Sequence, residues 1–131
     1  MSSQDIRWKQ RFQQFGKVMG LLKLSIAIEN CSVVEQAGMI HFFELSFELA
    51  WKLLKDYLTE EGFDAKSPRA VIKLAFQQEL IPDGHVWIQA LQDRNLTTHT
   101  YNEETADLVE QRIRDEYLPF LLDLEQCFQN K

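Results

Sequence analysis

Apolar residues recur at three- and four-residue steps along most of this chain, which is the spacing typical of amphipathic helices. The first such segment reaches roughly to Glu29, and Asn30, Cys31 and Ser32 then supply a turn in which Ser32 is a candidate N-cap. The chain is therefore predicted to open with one long helix. Its apolar positions are Ile6, Phe12, Phe15, Val18, Met19, Leu22 and Ile26.

The second segment, from Val33 to about Glu61, is the most apolar of the chain. Four charged positions in its middle fall on one line at i, i+4 steps: Glu44, Glu48, Lys52 and Asp56. Such a narrow polar seam indicates that most of the helix circumference is buried. We therefore expect a central helix that packs on its own bundle and on a partner subunit.

Glycine and proline divide the next part of the chain. Gly62 suits a C-terminal helix cap. Ser67 places a capping hydroxyl before Pro68 at a first helical position, so a third helix is predicted from there to about Leu80. After it, Pro82-Asp83-Gly84 indicates a break with Asp83 as the next N-cap.

The break at Asp83 starts a predicted short helix whose apolar residues Trp87, Ile88 and Leu91 fall on one side. Arg94 follows Leu91 by three positions and lies on that same side. We therefore expect Arg94 to point along the packed face, toward a bundle edge or groove.

A last helix is predicted from about Asn102 to Phe128, and Pro119 should bend it, because the proline ring lacks a donor and crowds the preceding turn. Its apolar stripe is Ala106, Val109, Ile113, Tyr117, Phe120, Leu124 and Cys127. No segment has the period-two pattern of a strand. The predicted fold is all-α: an up-and-down bundle of four principal helices plus a short helix.

Composition limits the number of domains and the kinds of partner. The chain has 131 residues, of which 45% are hydrophobic, so residues 1–131 are predicted to form a single domain. The formal net charge of −6 disfavours indiscriminate attraction to nucleic acid, so any contact with RNA needs a local basic patch. The candidates are Arg94, the group Arg7, Lys9 and Arg11, and the group Lys66, Arg69 and Lys73.

The N-terminal sequence lacks the layout of a signal peptide, and no apolar run is long enough to span a bilayer. We therefore expect a cytoplasmic protein that makes no membrane contact. Cys31 and Cys127 are far apart and too few for a disulfide framework or a metal site, so both are predicted to be reduced thiols.

The candidate chemistry is concentrated between Arg94 and Tyr101, where the chain reads Arg-Asn-Leu-Thr-Thr-His-Thr-Tyr. Arginine offers a fork of donors suited to phosphate oxygens, and histidine can give or take a proton near neutral pH. In an unbroken helix Arg94 and His99 would be rotated by roughly 140° from one another. Their convergence requires a break, which Thr97 and Thr98 favour as weak helix formers that can bond to local backbone.

Spacing alone also allows a structural interpretation of these residues. Arg94 could pair with a carboxylate such as Asp93 or Glu103, His99 could be an ordinary loop histidine, and Tyr101 could pack at the edge of the bundle. The acidic residues near the motif, Glu103, Glu104 and Asp107, would repel RNA. His41, Glu44 and Glu48 could begin a carboxylate metal site, but no second Glu-x-x-His pair exists to complete it, so we predict no metal and no cofactor.

The pattern Arg94-Asn95, then His99 and Tyr101, resembles the signature of HepT-like HEPN domains, the helical partners of minimal nucleotidyltransferases, also described as nucleotidyltransferase substrate-binding proteins. The surrounding sequence is similar as well. The segment 43–52 resembles the second helix of that family, and Ser67-Pro68-Arg69 resembles the start of its third helix. The resemblance covers nearly the whole chain.

This resemblance implies a homodimer, a minimal nucleotidyltransferase encoded nearby and RNA as a possible substrate. It implies that Arg94 and His99 are the catalytic pair of a metal-independent ribonuclease toxin, that Asn95 supports them, and that adenylylation of Tyr101 by the partner silences the nuclease. Two copies of the motif across a dimer groove would supply the two proton transfers that RNA cleavage needs.

Two other functions stay open from the sequence. The chain could be a non-catalytic subunit that binds a substrate for a nucleotidyltransferase on another chain, or a plain dimerisation module. No Gly-Ser and paired-aspartate signature occurs, so the chain is not itself predicted to transfer nucleotides.

Overall fold

A computed structural model describes residues 3–99 and 102–131, with the side chains of residues 6–98 and 102–131. These residues form helices and no strand, so the predicted all-α fold is confirmed. The elements are α1 (Ser3–Ile26), α2 (Val33–Glu60), α3 (Pro68–Gln77), α4 (Gly84–His99), α5 (Glu103–Arg112), a π-helical turn (Ile113–Tyr117) and α6 (Leu118–Gln129).

Local hydrogen bonds fix the predicted start of α2. The Ser32 hydroxyl accepts from the Glu35 N–H at 3.1 Å, and the Glu35 carboxylate accepts from the Ser32 N–H at 2.9 Å. This reciprocal capping box satisfies two donors that the helix itself leaves without partners. The predicted N-cap at Ser32 is therefore confirmed.

The predicted caps at Gly62 and Ser67 are also present. Gly62 adopts a left-handed φ of 97°, and the Phe63 N–H reaches back to the Leu58 carbonyl at 3.0 Å, which closes α2. The Ser67 hydroxyl accepts from the Ala70 N–H at 3.2 Å, just before Pro68 opens α3. Short-range sequence chemistry thus determines these two ends.

Two helices end earlier than predicted. α1 stops at Ile26 rather than near Glu29, because the Arg114 guanidinium donates to the carbonyls of Ile26 and Ile28 at 2.8 and 2.9 Å and satisfies them outside the helix. α3 stops at Gln77 rather than near Leu80, because Glu79 takes a left-handed φ of 60° and the Leu80 N–H bonds to the Ala75 carbonyl.

The prediction of a short fourth helix that breaks before His99 was wrong. α4 has 16 residues and continues through His99, whereas α3 has 10. Asp83 does accept from the first turn of α4, through the His85 N–H at 2.9 Å.

The Thr98 hydroxyl donates to the Asn95 carbonyl three residues back at 3.1 Å. The Thr97 hydroxyl lies 3.3 Å from the Arg94 carbonyl and closer, at 2.6 Å, to the Glu44 carboxylate. None of these contacts interrupts the helix.

The last helical rod contains one irregular turn at the place where Pro119 was predicted to disturb it. The Leu118 N–H bonds to the Ile113 carbonyl, five residues back, and Pro119 then lies in the first turn of α6. This wider turn gives room for a ring that would crowd the preceding turn of a regular α-helix. Asn102, where the last helix was predicted to start, caps the rod: its side-chain oxygen accepts from the Glu104 and Thr105 N–H groups at 2.9 and 3.2 Å.

α2 lies at the centre and packs against α1, α3, α4, α5 and α6. Its Phe43 ring stacks on Tyr117 at 5.1 Å between centroids, and its Phe47 ring lies 5.8 Å from Trp87. Trp8, Trp51 and Trp87 are all buried in this core. The core thus holds α4 firmly against α2, and this positions the site described next.

Candidate functional site

The candidate site lies where the C-terminal half of α4 crosses the polar seam of α2. Arg94 donates through Nη1 to the Glu48 carboxylate, and the Thr97 hydroxyl donates to the Glu44 carboxylate at 2.6 Å. Arg94 and Thr97 are nearly one turn apart on α4, and Glu44 and Glu48 are one turn apart on α2. The two helices are therefore joined by two parallel side-chain contacts.

Asn95 also binds the Arg94 guanidinium. Its side-chain oxygen accepts from Nε at 3.2 Å and from Nη2 at 3.0 Å. Arginine has five N–H donors, and these contacts with Glu48 and Asn95 use three of them. Within the described part of the chain, one N–H on each terminal nitrogen has no partner, on a side chain that is 20% exposed.

Glu48 is held in its charged form by three donors. Trp51 Nε1 donates at 3.0 Å and Lys52 Nζ at 3.2 Å, in addition to Arg94. Burial alone would raise the pKa of this carboxyl, but the hydrogen bonds from Trp51 and Lys52 and the charge of Arg94 outweigh burial and hold that pKa below its usual value. The carboxylate therefore anchors Arg94 at neutral pH.

The structural interpretation of Arg94 was correct in kind and wrong in the partner. Arg94 does pair with a carboxylate, but with Glu48 rather than with Asp93 or Glu103. Asp93 is turned the other way and binds Arg112. Successive residues of a helix are rotated by about 100°, so two neighbours on α4 meet different elements.

A small cleft of about 150 Å³ opens beside Thr97. The walls combine one face of α2 with the start of α5, and the polar lining residues are His41, Glu44, Thr97, Asn102 and Thr105. His41 and Glu44 were possible metal ligands in the sequence, where nothing indicated this cleft. The i, i+4 seam of α2 was the signal that could have paired Glu44 and Glu48 with α4.

In the regions that the structure describes, no group of three or more His, Cys, Asp or Glu side chains could hold a metal ion. Glu44 and Glu48, the carboxylates considered as ligands, bind Thr97 and Arg94 instead. No described helix is long and apolar enough to cross a membrane.

His99 is the last residue of α4, and its side chain lies outside the description; Tyr101 lies outside the described residues altogether. Because α4 is unbroken from Arg94 to His99, the helical register rotates these two positions roughly 140° apart. The predicted catalytic pairing of Arg94 with His99 and the modification of Tyr101 stay predictions.

Fold and site together define a class: an all-α bundle in which the arginine of an Arg-x4-His sequence is anchored to a carboxylate of the central helix. The chain belongs to the family described as nucleotidyltransferase substrate binding protein like, whose sequence model matches residues 10–130. The resemblance inferred from the sequence is thereby confirmed.

Two known proteins are similar to the chain over most of its length. A protein of Haemophilus influenzae named Probable ribonuclease HepT is 32% identical, over 71% of this chain and 67% of that protein. The crystal structure of a protein from Thermus thermophilus matches with a TM-score of 0.75 and 35% identity, and the match covers 88% of this chain and 96% of the other.

Proposed function

We propose that this protein is a HEPN-type, metal-independent ribonuclease toxin with Arg94 and His99 as its catalytic pair and Asn95 in support. The RNA 2′-hydroxyl loses its proton and attacks the adjacent phosphate, the P–O5′ bond breaks, and the 5′-oxygen leaves with a proton, which yields a 2′,3′-cyclic phosphate. His99 moves a proton in this reaction, and Arg94 stabilises the charge that develops on the phosphoryl oxygens. The name of the Haemophilus relative supports this choice of reaction.

One observation carries the proposal. Glu48 and Asn95 fix the Arg94 guanidinium and leave one N–H on each terminal nitrogen without a partner among the described residues. A guanidinium held in this way presents two donors to a phosphate group without a large loss of side-chain entropy on binding. A surface arginine used only for an ion pair would not need the second anchor at Asn95.

The catalytic test uses purified protein and a single-stranded RNA in the presence of a chelator. We expect the wild type to cleave, and Arg94→Ala and His99→Ala to lose about 10²–10⁴ in rate, because each removes a group that acts in the transition state. Circular dichroism should find both variants helical. Full cleavage by either folded variant would reject its role.

Homodimerisation belongs to this proposal, because the register of α4 rotates Arg94 and His99 apart within one chain. α2 carries an outward stripe that includes Val34, which is 81% exposed, and the exposed residues His41 and Leu45. Pairing of this stripe with a second copy would cover apolar surface and place two copies of the motif across one groove.

Sedimentation at micromolar concentration tests the dimer. The wild type should sediment as a dimer and Leu45→Glu as a monomer without nuclease activity, because the added charge would be buried in the contact. Leu24→Glu, on exposed α1 surface, is the matched control and should stay dimeric. A monomeric wild type that still cleaves RNA would reject the shared groove.

We further propose that a minimal nucleotidyltransferase silences the toxin by adenylylating Tyr101. The tyrosine oxygen bonds to the α-phosphorus of ATP and pyrophosphate leaves, so the product carries a bulky anion two residues after His99 and close to the Arg94 motif in sequence. Intact-mass measurement after co-expression should find one added adenylyl group, and Tyr101→Phe should prevent it. Mass gained at another residue, or none with an active partner, would reject this switch.

A second candidate function is a non-catalytic substrate-binding subunit of a two-component nucleotidyltransferase. The cleft beside Thr97 favours it, because His41 and Glu44 offer polar groups suited to a small cationic or hydroxylated molecule. Expression of the chain alone separates the two functions: growth arrest that requires His99 supports the nuclease, and unimpaired growth with no RNA cleavage supports the subunit.

A further inference from the structure

A second groove runs between α3 and α4, away from the contacts of Arg94 with α2. Its volume is about 470 Å³, and its apolar lining includes Ile72 and Ile88. Gln89 and Gln92 of α4 also line it. An open groove of this size, with amide groups along one side, is large enough for a segment of an extended chain.

The charge of the groove is opposite to that of the whole chain. Arg69 and Lys73 lie one turn apart on α3, and neither has an ion-pair partner among the residues that the structure describes. The chain as a whole has 20 acidic and 14 basic residues, yet the groove lining includes no carboxylate. Two carboxylates outside the lining accept from lining residues: Asp83 from the His85 N–H and Glu116 from the Gln89 amide. An anionic ligand is therefore favoured here.

An aromatic side chain lies at the same place. Phe76 is 50% exposed. Its Cβ would lie 3.6 Å from a Cβ added to Gly84, so the base of the Phe76 side chain packs against the beginning of α4. A half-exposed ring beside two cations and two side-chain amides is the combination that single-stranded nucleic acid uses: stacking for the base, charge for the phosphate and amides for the base edge.

The groove is aligned with the proposed catalytic residue. His99 follows Gln92 by seven positions on the same unbroken helix, so its Cα lies on about the same side of α4 and about 10 Å further along the axis. A strand lying along α4 would therefore extend from the groove toward the end of the helix that carries His99.

We propose that the groove between α3 and α4 binds single-stranded RNA that flanks the cleavage site, with Phe76 stacking on a base and Arg69 and Lys73 contacting phosphates. The RNA-cleavage part of this inference rests on the proposed function; the binding part does not. The groove determines which unpaired segment reaches His99, and this gives an acidic protein a local site for a polyanion.

Binding can be measured without cleavage on the full-length protein. The probe is a short, fluorescently labelled 2′-O-methyl RNA, which has no free 2′-hydroxyl to attack the phosphate, and the readout is fluorescence anisotropy. We expect Phe76→Ala to weaken binding about tenfold and Phe76→Tyr to retain it, because the second variant keeps the ring. Leu24→Ala, at another exposed apolar position, is the control and should bind as the wild type does.

The salt dependence tests the phosphate contacts. We expect Lys73→Gln to lower the slope of log K against log salt by about 0.7, the value for the loss of one phosphate contact on a single strand, while Phe76→Ala leaves the slope unchanged. Lys17→Gln removes the same charge from the exposed surface of α1 and is the control. Its effect on the slope and on the affinity should be much smaller than that of Lys73→Gln.

Each outcome decides one claim. A wild type that cleaves RNA, with groove variants that bind and cleave equally well, would reject the groove and leave the proposed function in place. A wild type that binds the probe through Phe76 and Lys73 but never cleaves RNA would support the groove and reject the nuclease. Absence of probe binding would overturn the RNA site. Groove variants that keep RNA binding but lose binding to the nucleotidyltransferase partner would also overturn it, in favour of a protein contact.

Discussion

Asp93 and Arg94 are neighbours on α4, yet they belong to two polar clusters that differ in partners and in burial. Asp93 is 4% exposed, accepts from Arg112 Nη1 at 2.9 and 3.0 Å, and accepts from the Tyr117 hydroxyl. Arg94 is partly exposed, binds Glu48 and Asn95, and keeps two N–H groups without a partner among the described residues. The two clusters differ in the burial of their carboxylates: the Asp93 side chain is 6% exposed and that of Glu48 is 34% exposed, whereas Arg112 and Arg94 are both partly exposed.

The two clusters are therefore expected to serve different purposes: the Asp93 cluster holds α4 in place, and the Arg94 cluster serves the proposed activity. The Asp93 cluster joins α4 to the last helical rod through a buried carboxylate, and removing that carboxylate leaves the buried Tyr117 hydroxyl without its acceptor. The Arg94 cluster is partly solvated, so its ion pair contributes little to stability. We therefore expect changes at Asp93 to act on folding and changes around Arg94 to act on activity.

The largest expected effect is on folding. Asp93→Ala should lower the free energy of unfolding by about 3 kcal/mol, because it leaves Arg112 and the Tyr117 hydroxyl without their acceptor. Arg94→Ala, the matched change one residue later, should cost less than about 1 kcal/mol. Urea unfolding followed by circular dichroism measures both. Equal losses would remove the distinction between the clusters.

The next effect is on activity rather than stability. Glu48→Ala releases Arg94 from its anchor and should lower the kcat of RNA cleavage about tenfold to a hundredfold, because a displaced catalytic group loses its orientation. Lys52→Ala removes the same Glu48–Lys52 ion pair but leaves Arg94 anchored, so it should have little effect. Glu48→Gln, which still has an acceptor oxygen, should restore part of kcat. If Lys52→Ala is equally impaired, Glu48 does not act through Arg94.

The buried cluster also predicts a response to alkaline pH. Burial, together with the hydrogen bond to Asp93, raises the pKa of the Tyr117 hydroxyl well above its usual value. The folded state therefore keeps this proton where the unfolded state has lost it, so stability is full below about pH 10 and falls as pH rises further. Tyr117→Phe should cost about 1 kcal/mol at neutral pH and reduce this alkaline loss. Thermal melts from neutral to alkaline pH test it; an unchanged profile in the variant would place the titrating group elsewhere.

The smallest effect concerns the second contact between α4 and α2. Thr97→Val keeps the shape but removes the hydroxyl that donates to Glu44, and should cost about 0.5–1 kcal/mol. Thr98→Val is the control, since the Thr98 hydroxyl bonds locally to the Asn95 carbonyl and is exposed. Equal unfolding midpoints for the two variants would mean that the Glu44 contact adds nothing to the open cluster.

Local chemistry allowed several features to be predicted from the sequence. Ser32, Gly62 and Ser67 act through groups within five residues, so their roles can be inferred without knowing the tertiary structure. The same reasoning failed at Glu79, because a left-handed glutamate at a helix end has no sequence signature comparable to that of glycine.

Features that depend on long-range packing were harder to predict. Thr97 and Thr98 are weak helix formers, yet Thr97 is tied to α2 and the helix continues past both residues. The partner of Arg94 is Glu48, which lies 46 positions earlier, and no local pattern selected it over Asp93 or Glu103. The seam of α2 was visible in the sequence, but the element it faces was not.

The π-helical turn before Pro119 changes which residues of the last helical rod lie on the same side. Arg112 and Tyr117 are five positions apart, a separation that a regular α-helix rotates roughly 140° apart. A turn closed by a bond to the fifth residue brings such positions closer to one side, and both side chains meet the carboxylate of Asp93. The segment between them therefore works as a spacer of fixed length. A variant with one residue deleted there would lose the meeting point on α4 even if every other side chain were retained.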